Sequence, residues 1–210
     1  MLCKMNLSNV FFIILLAAGI AACKGKHAAD EKVIVATPEE MDDRVSENIQ
    51  SVLLYASDNN GNINEKQKLN YTSITDKFYN KNNYRVFWST RQTWLPMADS
   101  MFHFIKTSRY SGLYPEDLHF NALDTLWQQL EADSLVRMDA IAWTKAELLL
   151  TDAFMRALKE MKEGRLVPDS NSIVHRQNFV DSFFVNTLSG LRENPSVNQL
   201  MEKVEPSQNE

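Results

Sequence analysis

The chain has 210 residues, of which 44% are hydrophobic and 10% aromatic, with 22 basic and 27 acidic residues and a net charge of −5. This length and apolar content predict one folded domain with its own core, and they argue against a wholly disordered chain. The acidic balance lacks the basic clustering of nucleic-acid-binding proteins, so we expect no nucleic-acid partner.

The N-terminus has the pattern of a secretory signal. Lys4 precedes an uncharged apolar run, Val10 to Ala22, which is shorter than the roughly 20 residues that a membrane-spanning helix needs. The end of this run together with the following cysteine, Ile20-Ala21-Ala22-Cys23, resembles the lipobox of bacterial lipoproteins. This resemblance implies cleavage before Cys23 and lipidation of its sulfur. We therefore predict a signal peptide over residues 1–22 and a membrane anchor at Cys23, on the periplasmic side of a bacterial cell envelope.

Other roles for Cys23 conflict with its chemistry. The second cysteine, Cys3, lies within the predicted signal peptide, so the chain that remains after cleavage cannot form an internal disulfide. An acylated, thioether-linked sulfur cannot become the thiolate that nucleophilic catalysis or metal binding requires. Cys23 is accordingly predicted to be an anchor, and no metal or cofactor is predicted.

The first predicted elements follow this anchor. Residues 23–36 are mostly polar and lack a helical period, which indicates a lipid anchor and tether. Thr37 at the N-cap, Pro38 at N1 and Glu40 at N3 then predict a capping box at the start of a helix over 38–56. The Asn- and Gly-rich stretch over 58–65 predicts a loop, because its glycine does not match the position required in a calcium-binding EF-hand loop.

The middle of the chain is predicted to be mostly helical. Residues 85–89, RVFWS, are predicted to form a brief strand or an extended segment. Gly112 is typical of a helix C-cap, and Pro115 begins a short helix with acidic residues in its first turn. Apolar residues at helical spacing predict three helices, marked by Tyr71, Ile74, Phe78 and Tyr79; by Trp94, Ala98, Met101, Phe102 and Ile105; and by Leu123, Leu126, Trp127 and Leu130.

The longest helix is predicted over 139–162, and its broad apolar stripe indicates a central position. Two more helices follow, marked by Phe179, Phe183, Phe184 and Leu188 and by Val197, Leu200, Met201 and Val204, and Pro206 ends the last. We predict a mainly α fold: an irregular multi-helix bundle over 37–206 with a long central helix and at most a short strand-like segment near 85–89. Residues 207–210 form a tail.

Two tryptophans and one Asp–His pair are candidate contact residues. Trp88 and Trp94 lie at a loop-like junction and can line a groove that stacks sugar rings, although tryptophans at helical spacing are more often core residues. Asp117 and His119 have the spacing of a carboxylate-oriented base, but a helix-start cap with a packed imidazole is the favoured interpretation. The predicted contact groove therefore consists of Trp88, Trp94, Asp117 and His119.

Two acids on the long helix do not predict a glycosidase pair. Glu147 and Asp152 are five residues apart, so their side chains point about 140° apart around a helix. We expect Asp152 to cap or bridge within the bundle, for example to Arg165. No catalytic residue is predicted.

Four spaced segments together resemble a known family. They are FYNKNNYRVFWS (78–89), YSGLYPEDLHFNAL (110–123), ELLLTDAFMRALKEMKEGRL (147–166) and LMEKVEP (200–206). In this order they resemble the helical scaffold domain of the large L,D-transpeptidases of the Bacteroidetes type. The chain departs from the family at Leu118, where a tyrosine is common, and after Pro206, where the family continues toward an aromatic residue.

The resemblance implies a role in peptidoglycan assembly without catalysis. Family members follow this domain with a peptidoglycan-binding module and a catalytic domain that has a cysteine nucleophile, a histidine base and a Ser-x-Gly-Cys-type signature. No cysteine follows Cys23 in this sequence, so we expect no transpeptidation by this chain alone. The leading hypothesis is a membrane-anchored lipoprotein that positions peptidoglycan or a cell-wall transpeptidase. The alternative is the N-terminal fragment of a full L,D-transpeptidase.

Overall fold

The computed structural model describes residues 31–164 and 180–204. In these ranges the chain forms eight α-helices and one two-stranded antiparallel sheet, which confirms the predicted mainly α class. The elements are α1 (Pro38–Asp58), α2 (Thr72–Lys81), β1 (Ser89–Thr90), β2 (Thr93–Trp94), α3 (Pro96–Thr107), α4 (Phe120–Ala132), α5 (Ser134–Arg137), α6 (Ala140–Glu163), α7 (Asp181–Ser189) and α8 (Val197–Val204). Short 3₁₀ turns occupy Ser108–Ser111, Pro115–Leu118 and Gly190–Arg192.

The long helix α6 is the centre of the fold. It contacts each of the other seven helices in the described ranges, and buried side chains surround its N-terminal two-thirds. A helix that is apolar on nearly all sides is stable only inside a protein. The predicted central helix over 139–162 is therefore confirmed, with Asp139 as its N-cap residue.

Helix α1 packs against α6 and shows how the apolar spacing becomes a buried face. Its six buried residues recur at a spacing of one to four along the chain and share one face of the helix: Met41, Val45, Ile49, Val52, Leu53 and Ala56. The predicted capping box is only partly correct. Thr37 is the N-cap residue and Pro38 occupies N1, but the Thr37 side chain makes no capping hydrogen bond.

The structure revises the end of the predicted tether, because residues 33–35 belong to the folded domain. The Val33 backbone N–H donates to Asp139 Oδ1 at 2.9 Å, and Ala140 N–H donates to the Val33 carbonyl at 2.7 Å. Val35 N–H donates to the Met138 carbonyl at 2.8 Å, and Val35 is buried. These contacts fix the chain beside the N-terminus of α6. The predicted signal peptide (1–22), Cys23 and the tail (207–210) lie outside the described residues.

The predicted strand near 85–89 is displaced toward the C-terminus. Ser89 pairs with Trp94 and Thr90 with Thr93, so that β1 and β2 form a hairpin with a two-residue loop. Both loop residues have positive φ, 47° at Arg91 and 64° at Gln92, as the favoured two-residue hairpin turns require. Asp42 on α1 holds this loop, because its carboxylate accepts hydrogen bonds from Arg91 N–H at 2.7 Å and Thr90 Oγ1 at 2.8 Å.

Candidate functional site

A fully buried carboxylate, Glu147, is the centre of the first polar cluster on α6. Its Oε1 accepts hydrogen bonds from the backbone N–H groups of Trp88 and Ser89, both at 2.9 Å, and from Ser89 Oγ at 2.8 Å. Its Oε2 accepts from Phe87 N–H and from Tyr79 Oη, also at 2.9 Å. Residues 87–89 therefore direct their backbone donors at a carboxylate instead of at a neighbouring strand.

Burial dominates the titration behaviour of this cluster. Loss of solvation raises the pKa of Glu147 above 4.5, and the hydrogen bonds that it accepts only partly offset this effect. Burial likewise raises the pKa of Tyr79, and the neighbouring Glu147 carboxylate adds to the increase. The Tyr79 hydroxyl is thus retained as a hydrogen-bond donor to Glu147.

Trp88 belongs to this interior cluster, which argues against its predicted place in a contact groove. The side chain is fully buried, and its indole Nε1 donates to Thr151 Oγ1 at 2.8 Å. Its ring also packs edge-on against Phe87, with the two ring centroids 5.0 Å apart. No face of this indole is open to a ligand, because protein atoms surround it on every side.

A second fully buried carboxylate, Asp152, binds two other segments to α6. Its Oδ1 accepts from Tyr71 N–H at 2.7 Å, and its Oδ2 accepts from Asn70 N–H at 3.1 Å, so it fixes the start of α2. Oδ2 also lies 2.7 Å from His119 Nε2. The expectation that Asp152 bridges within the bundle is met through these groups, whereas Arg165 lies outside the described residues.

Asp117 and His119 lie near each other in the chain but have different partners. Asp117 forms an ion pair with Arg156 on α6, with 3.2 Å between Oδ2 and the guanidinium nitrogen, whereas His119 contacts Asp152. His119 adopts a left-handed conformation with φ of 60° between the 3₁₀ turn and α4. Asp117 therefore does not orient the imidazole of His119, which contacts the carboxylate of Asp152 instead, and neither the 3₁₀ turn nor α4 begins with a side-chain capping hydrogen bond.

Trp94 lies in a third set of contacts, a stack of aromatic rings between the hairpin, α3 and α4. Its ring is parallel to that of Trp127, with centroids 4.0 Å apart, and Phe102 stacks on the opposite face of Trp127 at 4.5 Å. Trp143 packs against Trp94 at 4.7 Å in a tilted arrangement. Trp88, His119 and Trp94 thus lie in three separate clusters and Asp117 in an ion pair with Arg156, so the four residues do not share one set of contacts.

The two buried acids hold other segments of the chain through hydrogen bonds. Every oxygen of Glu147 and Asp152 accepts a hydrogen bond, and the donors come from different segments, so the two acids serve as fixed acceptors. Within residues 31–164 and 180–204, no three histidine, cysteine, aspartate or glutamate side chains form a group that could hold a metal ion. No helix in those same ranges is long and apolar enough to cross a membrane.

One sequence pattern indicates these buried polar contacts, and its residues are not among the predicted groove residues. Glu147 and Thr151 are polar, four residues apart and separated by three leucines, which indicates a buried polar row that needs partners. Their partners Tyr79 and Ser89 are more than 50 residues away, and no local pattern identifies them.

A comparison with protein families identifies the family to which this chain belongs. A family described as "Scaffold domain" matches residues 73–210, which is well over half of the chain. Curated proteins and solved structures gave no match. The matched range contains Glu147, Asp152 and His119, whereas Asn70 and Tyr71, which donate to Asp152, precede it. The chain therefore belongs to the scaffold domain family, whose domain is the one found in large L,D-transpeptidases.

Proposed function

We propose that this chain is a non-catalytic lipoprotein of the cell envelope, in which the scaffold domain holds peptidoglycan or a cell-wall transpeptidase close to the membrane. The observation that carries the proposal is the family match over 73–210 in the same chain as a lipobox ending at Cys23. The interior supports it, because the buried acids on α6 are occupied in holding loop and helix ends. A rigid surface is what a positioning domain requires.

Membrane anchoring is tested by comparing the full chain with its Cys23→Ser variant in a bacterial host. We expect the wild-type protein to incorporate labelled fatty acid and to fractionate with membranes. The variant should incorporate no label and leave the membrane fraction. Equal labelling and fractionation of both proteins would contradict lipidation at Cys23.

Wall binding is tested by co-sedimentation of the purified full-length protein with isolated sacculi and by capture of wall transpeptidases from envelope extracts. We expect saturable binding to at least one of them at micromolar concentration. A matched acidic protein of similar size controls for nonspecific adsorption. Absence of both interactions would refute the proposed role.

A further inference from the structure

The turn over 108–118 displays two tyrosine side chains in an unusual way. In the described ranges, Tyr110 and Tyr114 are the only aromatic residues among the large hydrophobic side chains classed as exposed, at 94% and 54%. Both belong to one short segment between α3 and α4. Aromatic side chains that are more than half exposed and four residues apart are typical of binding surfaces, because burying their exposed area on a partner is favourable.

The segment that carries these rings is fixed in place. Gly112 has φ of 73°, and Leu113 N–H donates to the Ser108 carbonyl at 3.1 Å, which closes the turn. Leu113 and Leu118 are buried and attach the turn to the core. Since the backbone is ordered before any ligand arrives, binding to the two rings carries little entropic cost for the loop.

Contacts to α6 hold the C-terminal end of the same segment. Asp117 pairs with Arg156 at 3.2 Å, and His119 Nε2 lies 2.7 Å from Asp152. These two contacts to α6 thus hold the end of the segment that carries the exposed tyrosines.

The charges beside the rings favour a neutral ligand. Arg109 forms an ion pair with Glu116, with 2.6 Å between the guanidinium nitrogen and Oε1, and both side chains are exposed. A hydrogen bond from its own backbone N–H, together with Arg109, lowers the pKa of Glu116, so its carboxylate is ionised at neutral pH. Because these two charged groups pair with each other, they give the surface no net charge that would attract a nucleic acid or an anionic lipid.

We infer that Tyr110 and Tyr114 form a platform on which sugar rings of a glycan stack, while Arg109 and Glu116 supply hydrogen bonds to sugar hydroxyl or acetamido groups. The C–H face of a pyranose ring complements the electron-rich face of an aromatic ring, and sugars present both donors and acceptors to a paired Arg and Glu. Among such ligands, the proposed function indicates the glycan strand of peptidoglycan. The choice of this ligand therefore rests on the proposed function.

The test uses the full-length protein and two probes, a tetramer of β-1,4-linked N-acetylglucosamine observed by saturation-transfer NMR and isolated sacculi in co-sedimentation. The Tyr110→Ala/Tyr114→Ala double variant is expected to weaken both interactions by about tenfold. The Tyr110→Phe/Tyr114→Phe variant keeps the rings and should retain binding. Leu54→Ala removes another exposed apolar side chain, on α1, and should change nothing. Unchanged thermal unfolding confirms that each variant is folded.

The outcomes separate this inference from the proposed function. If wild type and double alanine variant sediment equally with sacculi, the platform is refuted while wall binding stands. If the tetramer binds through the tyrosines but sacculi and wall enzymes do not bind, the proposed function fails and the sugar platform stands. If the tyrosines are required only to capture a protein and no sugar binds, the inference is overturned and the surface is a protein interface.

Discussion

At the scale of single residues, Glu147 shows how one carboxylate replaces a strand partner. The backbone N–H groups of residues 87–89 need acceptors, because buried amide groups without a partner are costly. Glu147 accepts from all three, and Tyr79 and Ser89 add side-chain donors. One ionisable group thereby fixes the segment that leads into the hairpin.

Glu147→Gln is expected to lower the free energy of unfolding by about 2–4 kcal/mol, because an amide NH₂ replaces an oxygen toward which only donors point. Urea denaturation measures the loss, and hydrogen exchange should show faster exchange of the amides at residues 87–89. The control Glu47→Gln lies on an exposed part of α1 and should leave both measurements unchanged. Equal stability of the two variants would show that Glu147 is not a structural acceptor.

The pKa values of Glu147 and Glu116 should lie on opposite sides of 4.5, since burial raises the first and hydrogen bonding lowers the second. Because burial raises the pKa of Glu147 in the folded state, its titration makes the fold most stable below 4.5, and this pH-dependent part of the stability falls as pH rises through the raised pKa. Glu116 contributes above 4.5, and that contribution is lost as pH falls through its lowered pKa. NMR titration of the labelled carboxyl carbons measures both, and the reverse order would contradict the assigned environments.

At the scale of elements, the loop between α1 and α2 depends on one glycine. Gly61 has φ of 86°, and a Cβ atom at this position would lie 2.4 Å from the Leu69 carbonyl oxygen. Leu69 N–H donates to the Gly61 carbonyl at 2.8 Å, so the two backbones approach closely. The absence of a side chain at Gly61 permits this approach, which brings Asn70 and Tyr71 to Asp152.

Gly61→Ala and Gly112→Ala form a matched pair of variants. Both positions have positive φ, but a Cβ atom at Gly112 meets nothing within 4 Å. We expect Gly112→Ala to cost about 1 kcal/mol from backbone strain and Gly61→Ala to cost clearly more, because a steric clash adds to the same strain. Thermal unfolding compares the two, and an equal loss would mean that the loop moves freely away from the added methyl group.

Sequence patterns predicted the helices better than the connections between them. The buried faces of α1 and α6 could be predicted because the apolar spacing that defines each face lies within the sequence of that helix. The hairpin could not be located in this way, because Arg91 and Gln92 adopt positive φ without the Asn-Gly signal of such turns. The predicted groove is not found for a related reason, because its residues contact partners that are distant in the sequence. Trp88 donates to Thr151, which is 63 residues away, and Asp117 pairs with Arg156 on α6.

At the scale of the whole molecule, the folded unit is longer than the family match. The match begins at residue 73, yet α1 before it contributes six buried apolar residues and packs on α6. Residues 33–35 add backbone hydrogen bonds to the start of the same helix. The core of this domain is therefore shared between the matched range and the segment that precedes it.

Removal of residues 1–72 is expected to abolish cooperative folding, because it exposes the face of α6 that α1 covers. The matched control lacks only residues 1–30 and should unfold in one transition. Circular dichroism during heating distinguishes the two proteins. A cooperative transition in the shorter chain would show that α1 is dispensable for the core.

The attachment of Val33 to the start of α6 also sets a length scale for the proposed anchor. Ten Cα-to-Cα steps lead from Cys23 to Val33, and even a fully extended chain of that length spans only about 35 Å. A lipid on Cys23 would therefore confine the domain to a layer about one protein diameter deep above the bilayer. Any pull from a captured glycan strand would reach the membrane along the chain between Val33 and Cys23, and the hydrogen bonds of Val33 with the Asp139 carboxylate and the Ala140 N–H would carry part of the load.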